Sequence, residues 1–277
     1  MTPPHNDNSN TASPNKASLN VRFERAAADM FWVPEGVTVV ERPEIIYTAS
    51  PEPNLALNTV AYVRASNAQQ STQLVHEVAQ AHPQGSSRWA LCAHAPAVGL
   101  RQALQAAGYR EGHAHDLMVL PLAVGSDHET RLRPGPYTAQ RVETLQHLRD
   151  AYMVGARAFQ KNTPPPTDVQ LTAELERTIH PEGRVARFVV YAGGQPISAG
   201  GVTLHRSLGL GMMWAGGTVP THRRRGAYRL LLQARIDWVS TFAHVDHIGF
   251  YARLNTSAPI VARYGFERHG RMTYWER

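Results

Sequence analysis

The feature that most constrains this chain is a junction. The apolar stretch GMMWAGGTV (211 to 219) closes on Pro220 and opens through HRRRGAY (222 to 228) into RLLLQARIDWV (229 to 239), whose apolar residues recur at helical spacing. A strand that gives way to a helix through glycine and consecutive arginines can build an anion cradle. Gly226 has no Cβ and lets backbone N–H groups approach a ligand closely, while Arg223, Arg224 and Arg225 add positive charge. The start of the following helix contributes unpaired donors and the positive end of its dipole. The expected ligand carries a pyrophosphate.

The run R-R-R-G-A-Y fits the pattern R-x-x-G-x-G/A at Arg223 and Gly226. In this position it resembles the acetyl-CoA loop of the GNAT acetyltransferases. Downstream, HIGFYAR (247 to 253), Asn255, SAPIVARYGF (257 to 266) and GRMTYWE (270 to 276) follow the order of that family's second half, so the likeness covers roughly residues 135 to 277. The resemblance implies a mixed α/β sheet and acetyl-CoA as the acyl donor. It places the cofactor against Gly217, Thr218, Val219, Arg223, Arg224, Arg225, Gly226, Ala227 and Tyr228. Two departures stand out. Tyr228 occupies a position where the family more often has Gly or Ala, and Val261 stands where it usually carries a general-acid tyrosine.

A solvated arginine-rich helix start is the competing account of RRRG, since charge runs are commonly exposed faces. The strand before it, the helix after it and the segment from Asn255 to Gly265–Phe266 favour the cofactor reading. No G-x-x-x-x-G-K-[ST] loop is present, no G-x-G-x-x-G follows a strand, and no G-x-S-x-G elbow occurs.

With 277 residues, 43% of them hydrophobic, the chain can bury a sizeable core as one large domain or two ordinary ones. It contains no apolar run of membrane-spanning length, and its polar start lacks the core of a signal peptide, so a soluble cytoplasmic protein is expected. The single cysteine, Cys92, agrees with a reducing compartment and reads as a small buried hydrophobe. A net charge of +6 raises the question of nucleic acid. The arginines are spread along the chain and form no basic stripe with interleaved aromatics, which argues against it. The fourteen histidines include the pairs His113/His115 and His244/His247, neither with further ligands nearby, so no metal site is expected.

Residues 1 to 19 read as a disordered tail, followed by a helix over 21 to 32. Extended GVTVVER and EIIYTA precede a strand over 55 to 64, a helix over 71 to 82, a strand over 87 to 94, a helix over 97 to 109 and a strand over 115 to 122. Residues 126 to 136 are the expected linker. A helix over 143 to 159, a proline-rich loop over 162 to 168 and three strands lead into the junction. The two halves repeat one order of elements, and LQAAGY echoes VARYGF. ASNAQQST (65 to 72) stands in the first half where THRRRGAY stands in the second, without glycine or arginine. The organisation expected is therefore two tandem GNAT-like units: residues 20–125, unable to hold CoA phosphates, and residues 137–277, carrying cofactor and chemistry. Two generic α/β units are the alternative.

Acetyl transfer needs a polarised thioester, an amine and a proton acceptor. Gly216 and Gly217, late in their strand, permit a bulge that offers backbone N–H groups to the pantetheine arm. No carboxylate lies on that strand, which leaves His205, His222 or solvent as base. For the departing thiolate, Tyr264, Ser257 and Tyr251 are candidates, with Tyr264 also readable as a core aromatic. Asn255 suits both a helix cap and the pantetheine arm. The acceptor is a small-molecule or peptide amine, and a noncatalytic acyl-CoA-binding or regulatory protein is the alternative function.

Overall fold

The computed structural model describes residues 14–29, 33–34, 36–82, 86–122, 136–160, 164–180 and 183–277. These divide into two compact units, one formed by residues 1–118 with 251–277 and the other by 119–250.

In the first unit, helix α1 (Pro14–Ala28) precedes strands β1 (Thr38–Arg42), β2 (Ile45–Ala49) and β3 (Thr59–Val63). Helix α2 (Ala68–Ala81), β4 (Arg88–Cys92), helix α3 (Leu100–Ala106) and most of β5 (Arg110–Pro121) follow. The C-terminal elements α7 (Ser257–Ala262) and β11 (Glu267–Glu276) also belong here. The strands lie in the order β1-β2-β3-β4-β11-β5, with β3 and β4 parallel and β4 antiparallel to β11. Both parallel strands are nearly continuous apolar runs, as expected of strands covered on both faces. Leu74, Val75 and Val78 form the helical stripe of α2 and pack with Ile45, Val60, Trp89, Leu104 and Trp275 into one buried cluster. The first helix starts at Pro14, well before the expected 21, and the tail's residues 1–13 lie outside the described residues.

The second unit holds β6 (Tyr137–Arg141), α4 (Leu145–Phe159), α5 (Asp168–Ile179), β7 (Val185–Ala192), β8 (Gln195–His205), β9 (Leu210–Thr218), α6 (Ala227–Ser240) and the start of β10 (His247–Arg253). Their order is β10-β9-β8-β7-β6; β6 to β9 are antiparallel neighbours, and β10 runs parallel to β9. Helices α4 and α6 cover opposite faces. A Cβ on Gly217 would meet Ala158 of α4, and one on Gly216 would meet Arg235 of α6. Two elements were not expected. Strand β6 begins immediately after the expected linker, which lies, apart from Pro136, outside the described residues. Helix α5 follows the proline-rich loop and starts with a capping box, Thr167 bonding the Gln170 N–H and Gln170 bonding back.

The order β3-α2-β4-α3-β5 recurs as β9-α6-β10-α7-β11, as the repeat in the sequence requires. The mixed α/β class expected from the sequence is the one found. Among the described residues no helix is long and apolar enough to cross a membrane.

Candidate functional site

Strand β9 is paired on both edges only at its beginning. Its register with β10 covers Leu210–Met212 against His247–Gly249 and stops, while β9 runs on to Thr218. On the other edge β8 follows it to the end, Ser198 opposite Thr218. Among the described residues, the later half of β9 therefore offers one free edge of backbone donors and acceptors. Within that half lies a bulge: Gly201 pairs with Trp214 and Ala199 with Gly217, so Ala215 and Gly216 together oppose Gly200. The bulge expected at the glycine pair exists, but the residue with positive φ is Ala215, at 50°. Gly216 and Gly217 serve packing instead, since a Cβ on either would stand within about 3 Å of Arg235 or Ala158.

The turn after β9 is a short 3-10 segment, Pro220–His222, leading to Arg223. Arg224 and Gly226 have positive φ, 61° and 90°, and Arg225 between them does not. Alternating φ sign is the conformation in which successive amides converge on an anion. Gly226 is the N-cap of α6 and supplies no side-chain cap, so the first-turn N–H groups of this helix are left without a side-chain partner. A Cβ on Gly226 would touch nothing within 4 Å, so the space before those amides is open.

The loop side chains divide into two groups. Arg224 and Arg225 are exposed. Arg223, expected to face a phosphate, instead donates Nε to the Thr218 carbonyl (3.1 Å) and Nη2 to the Ala158 carbonyl (2.9 Å). It clasps the loop to the last turn of α4, where a cation is favoured. Thr218 is buried and its hydroxyl lies 2.8 Å from that of Ser198; Val219 and Ala227 are buried too. Tyr228 is half-buried, its ring beside Gly216.

The corresponding corner of the first unit is closed twice over. Helix α2 has Asn67 as N-cap, its side chain accepting from the Gln70 N–H at 2.9 Å. Beyond β3, Ala65 forms a parallel bridge with Ala97; its N–H donates to Pro96 O (3.1 Å) and its carbonyl accepts from Val98 N–H (3.0 Å). The chain's own segment thus occupies the edge that β9 leaves free. Gly99 packs its backbone directly on Ala68, at the head of α2.

Of the residues proposed for proton transfer, His205 is buried and pairs with Leu210, at the opposite end of the β8–β9 ladder from Thr218. About 3.3 Å per residue puts five residues, on the order of 16 Å, between that end and Ala215. His222 is half-buried in the 3-10 turn, Nδ1 lying 3.0 Å from the Thr221 hydroxyl. Tyr264, Asn255, Ser257 and Tyr251 belong to the first unit. Asn255 is exposed and does not cap α7, whose N-cap is Thr256; Ser257 Oγ accepts from the Arg253 N–H. Tyr251 shares a contact with Cys92 (3.5 Å), and burial pushes its hydroxyl well above the ordinary tyrosine range. Val261 is fully buried. Tyr264 is half-buried, at the turn after α7.

Sequence reasoning missed two carboxylates facing the second unit's sheet. Glu174 of α5 receives the Tyr152 hydroxyl (2.5 Å) and pairs with Arg187, which stacks on Trp214 of β9 at 4.8 Å. Burial pushes the Tyr152 hydroxyl up to about 12. Asp150 of α4 accepts from Tyr191 (2.8 Å) and Gln146 (3.0 Å). In the first unit, Glu24, Cys92 and His94 place their polar atoms within 4.8 Å of one another. The Glu24 carboxylate is already neutralised by Arg64, with His94 Nε2 at 2.9 Å. Burial alone raises the Glu24 carboxyl, but the bonds from Arg64 and His94 outweigh it and hold the group below its usual range. Burial pushes the Cys92 thiol up to about 12, so it remains a thiol, consistent with a packing residue.

Solved structures of GNAT N-acetyltransferases share this fold. A GCN5-related N-acetyltransferase from Kribbella flavida matches with a TM-score of 0.66 and 14% identity, over 94% of this chain and 95% of that one. One from Sphaerobacter thermophilus matches with a TM-score of 0.61 and 15% identity, over 96% and 93%. More particularly, a tandem GNAT protein from the clavulanic acid biosynthesis pathway matches with a TM-score of 0.59 and 13% identity, over 96% and 95%. No protein-family model matches the sequence, and no curated protein matches it. The chain has the GNAT fold over nearly its whole length.

Proposed function

We propose that the chain is an acetyl-CoA-dependent N-acetyltransferase that acts on an amine and holds the cofactor in its second unit. The observation that carries this reading is the early end of the β9–β10 ladder, ahead of a turn leading to an uncapped α6. An extended pantetheine arm has amides that can pair with such an edge as an added strand does. Its pyrophosphate suits the amides at Gly226, with Arg224 and Arg225 beside them.

Bound acetyl-CoA supplies the activated thioester. The remaining work falls to this chain. The free edge of β9 fixes the arm, and the bulge at Ala215 turns a backbone N–H toward the carbonyl oxygen, where negative charge grows. As the amine nitrogen bonds to the carbonyl carbon, the C–S bond breaks. The nitrogen loses a proton, and the sulfur leaves as a thiol after gaining one. Ala215 is exposed, so water reaches this point and serves as proton carrier. His205 takes no part in this scheme, and His222 is the imidazole that the loop itself carries.

A second reading, a noncatalytic acyl-CoA-binding protein, is favoured by Val261 and Tyr251, which leave the usual acid position without a free hydroxyl. Thiol release from acetyl-CoA, followed across a panel of amines, separates the two. The enzyme reading expects at least one amine to raise the rate saturably. Tight CoA binding with no turnover on any amine would overturn it in favour of the sensor.

A further inference from the structure

Arg235 is a buried charge without an anionic partner. It lies in the third turn of α6 at 1% exposure, and no carboxylate pairs with it. Its Nε donates back to the Leu231 carbonyl (3.2 Å), and Nη2 has no hydrogen-bond partner. The Tyr228 hydroxyl, a neutral group, is hydrogen-bonded to the guanidinium, and its ring centre stands 6.0 Å away. A desolvated guanidinium without an anion is costly, and apolar replacements of such charges are commonly neutral or stabilising. The Tyr228 hydroxyl carries no charge, so Arg235 has an acceptor but no anion.

The guanidinium lies against the β9 bulge. A Cβ on Gly216 would stand 3.2 Å from both Nη1 and Nη2, and one on Gly200, across the ladder, 3.2 Å from Nη1. Two glycines facing each other at the bulge thus leave room for the guanidinium to lie against the sheet, one residue past Ala215. Under the proposed function this is where the thioester is held, and the inference rests on that reading. The phosphates of the cofactor belong at the exposed head of α6 and do not account for a charge inside the unit. A neutral acyl chain does not account for it either.

We infer that Arg235 is the counter-charge for a carboxylate on the transferred acyl group, so that the preferred donor is a dicarboxylic acyl-CoA such as a malonyl or succinyl thioester. The bond changes of transfer are those already given, and the carboxylate takes no part in them. It forms a charge-assisted pair with Nη1 and Nη2 that positions the carbonyl at the bulge.

The test is calorimetric binding of CoA, acetyl-CoA, butyryl-CoA, malonyl-CoA and succinyl-CoA to the full chain without acceptor amine. One of the two acidic donors is expected to bind on the order of tenfold tighter than the neutral donors. Arg235→Met is expected to abolish that preference while leaving CoA affinity unchanged, which also reports that the variant is folded. Arg235→Lys, which keeps the charge, is expected to retain part of it. If CoA binds and the acidic donors show no preference, or if the preference survives in Arg235→Met, the inference is overturned and the function stands. If no CoA compound binds, the proposed function itself fails. A carboxylate-dependent gain that appears only when an amino acid is added to acetyl-CoA would move the anion to the acceptor and likewise overturn the inference.

Discussion

At Gly226 the backbone has a φ of 90°, which an L side chain adopts only under strain, and the space before it is open. Gly226→Val is therefore expected to act in two ways. It should cost about 1–2 kcal/mol of stability through the left-handed conformation, read as a lowered thermal midpoint. It should also weaken CoA at least tenfold, on the order of 1.4 kcal/mol, by placing a branched side chain before the α6 amides. Unchanged CoA affinity in the folded variant would remove Gly226 from the site. This residue is legible in the sequence because a glycine between a strand and an apolar-striped helix, behind three arginines, marks backbone that must come close to an anion. Ala215 is not: positive φ in an alanine is imposed by the β8 pairing around it, and local sequence points to its neighbouring glycines. Arg223 departs from expectation for a similar reason. Whether its guanidinium faces a ligand or a backbone depends on the Ala158 carbonyl, 65 positions earlier, and nothing within RRRG encodes that.

Among the elements, the end of α2 is tied to β2 through a buried histidine. His82 Nε2 lies 2.7 Å from the Thr48 carbonyl and Nδ1 2.7 Å from the Ser87 hydroxyl. The carbonyl only accepts, so Nε2 carries the proton. Ser87, receiving the Tyr109 hydroxyl, donates its own to Nδ1. Both ring nitrogens are satisfied in the neutral form, and burial lowers the pKa from its ordinary 6.5. A group depressed on folding stabilises fully above its unfolded pKa and loses that contribution as pH falls through the folded value. Stability should therefore decline as the pH is lowered past the ordinary 6.5, and His82→Gln, though less stable throughout, should lose most of that slope in chemical denaturation. An unchanged slope in the variant would assign the effect elsewhere. Glu24, also depressed, contributes in the same sense but below its ordinary 4.5. Elements are legible where periodicity is long, as in α2, α4 and α6. Helix α5 is masked although T-x-x-Q at Thr167 is a helix-start signal, because the prolines before it favour a loop. Strand β6 is short and alternates half-buried with exposed residues, leaving no apolar stripe to read.

Across the whole molecule, one order of elements occurs twice with opposite treatment of the same corner. The first copy caps its helix with Asn67 and fills the strand edge with Pro96–Val98; the second leaves both open at Gly226 and β9. Missing glycine and arginine in ASNAQQST announce the first difference, but the Ala65–Ala97 bridge, a tertiary pairing, has no local signature. Nor does any pattern in the sequence say that α7 and β11 group with residues 1–118, because alternation in a strand reveals its buried face and not its neighbour. Cofactor binding as proposed depends on phosphate recognition by the bare amides at the head of α6. Its most direct test is calorimetric titration of the intact chain with CoA and, separately, with pantetheine, which keeps the arm and lacks the phosphates. CoA is predicted to bind with pantetheine on the order of a hundredfold weaker; equal affinity for the two, or no binding of CoA, would contradict it.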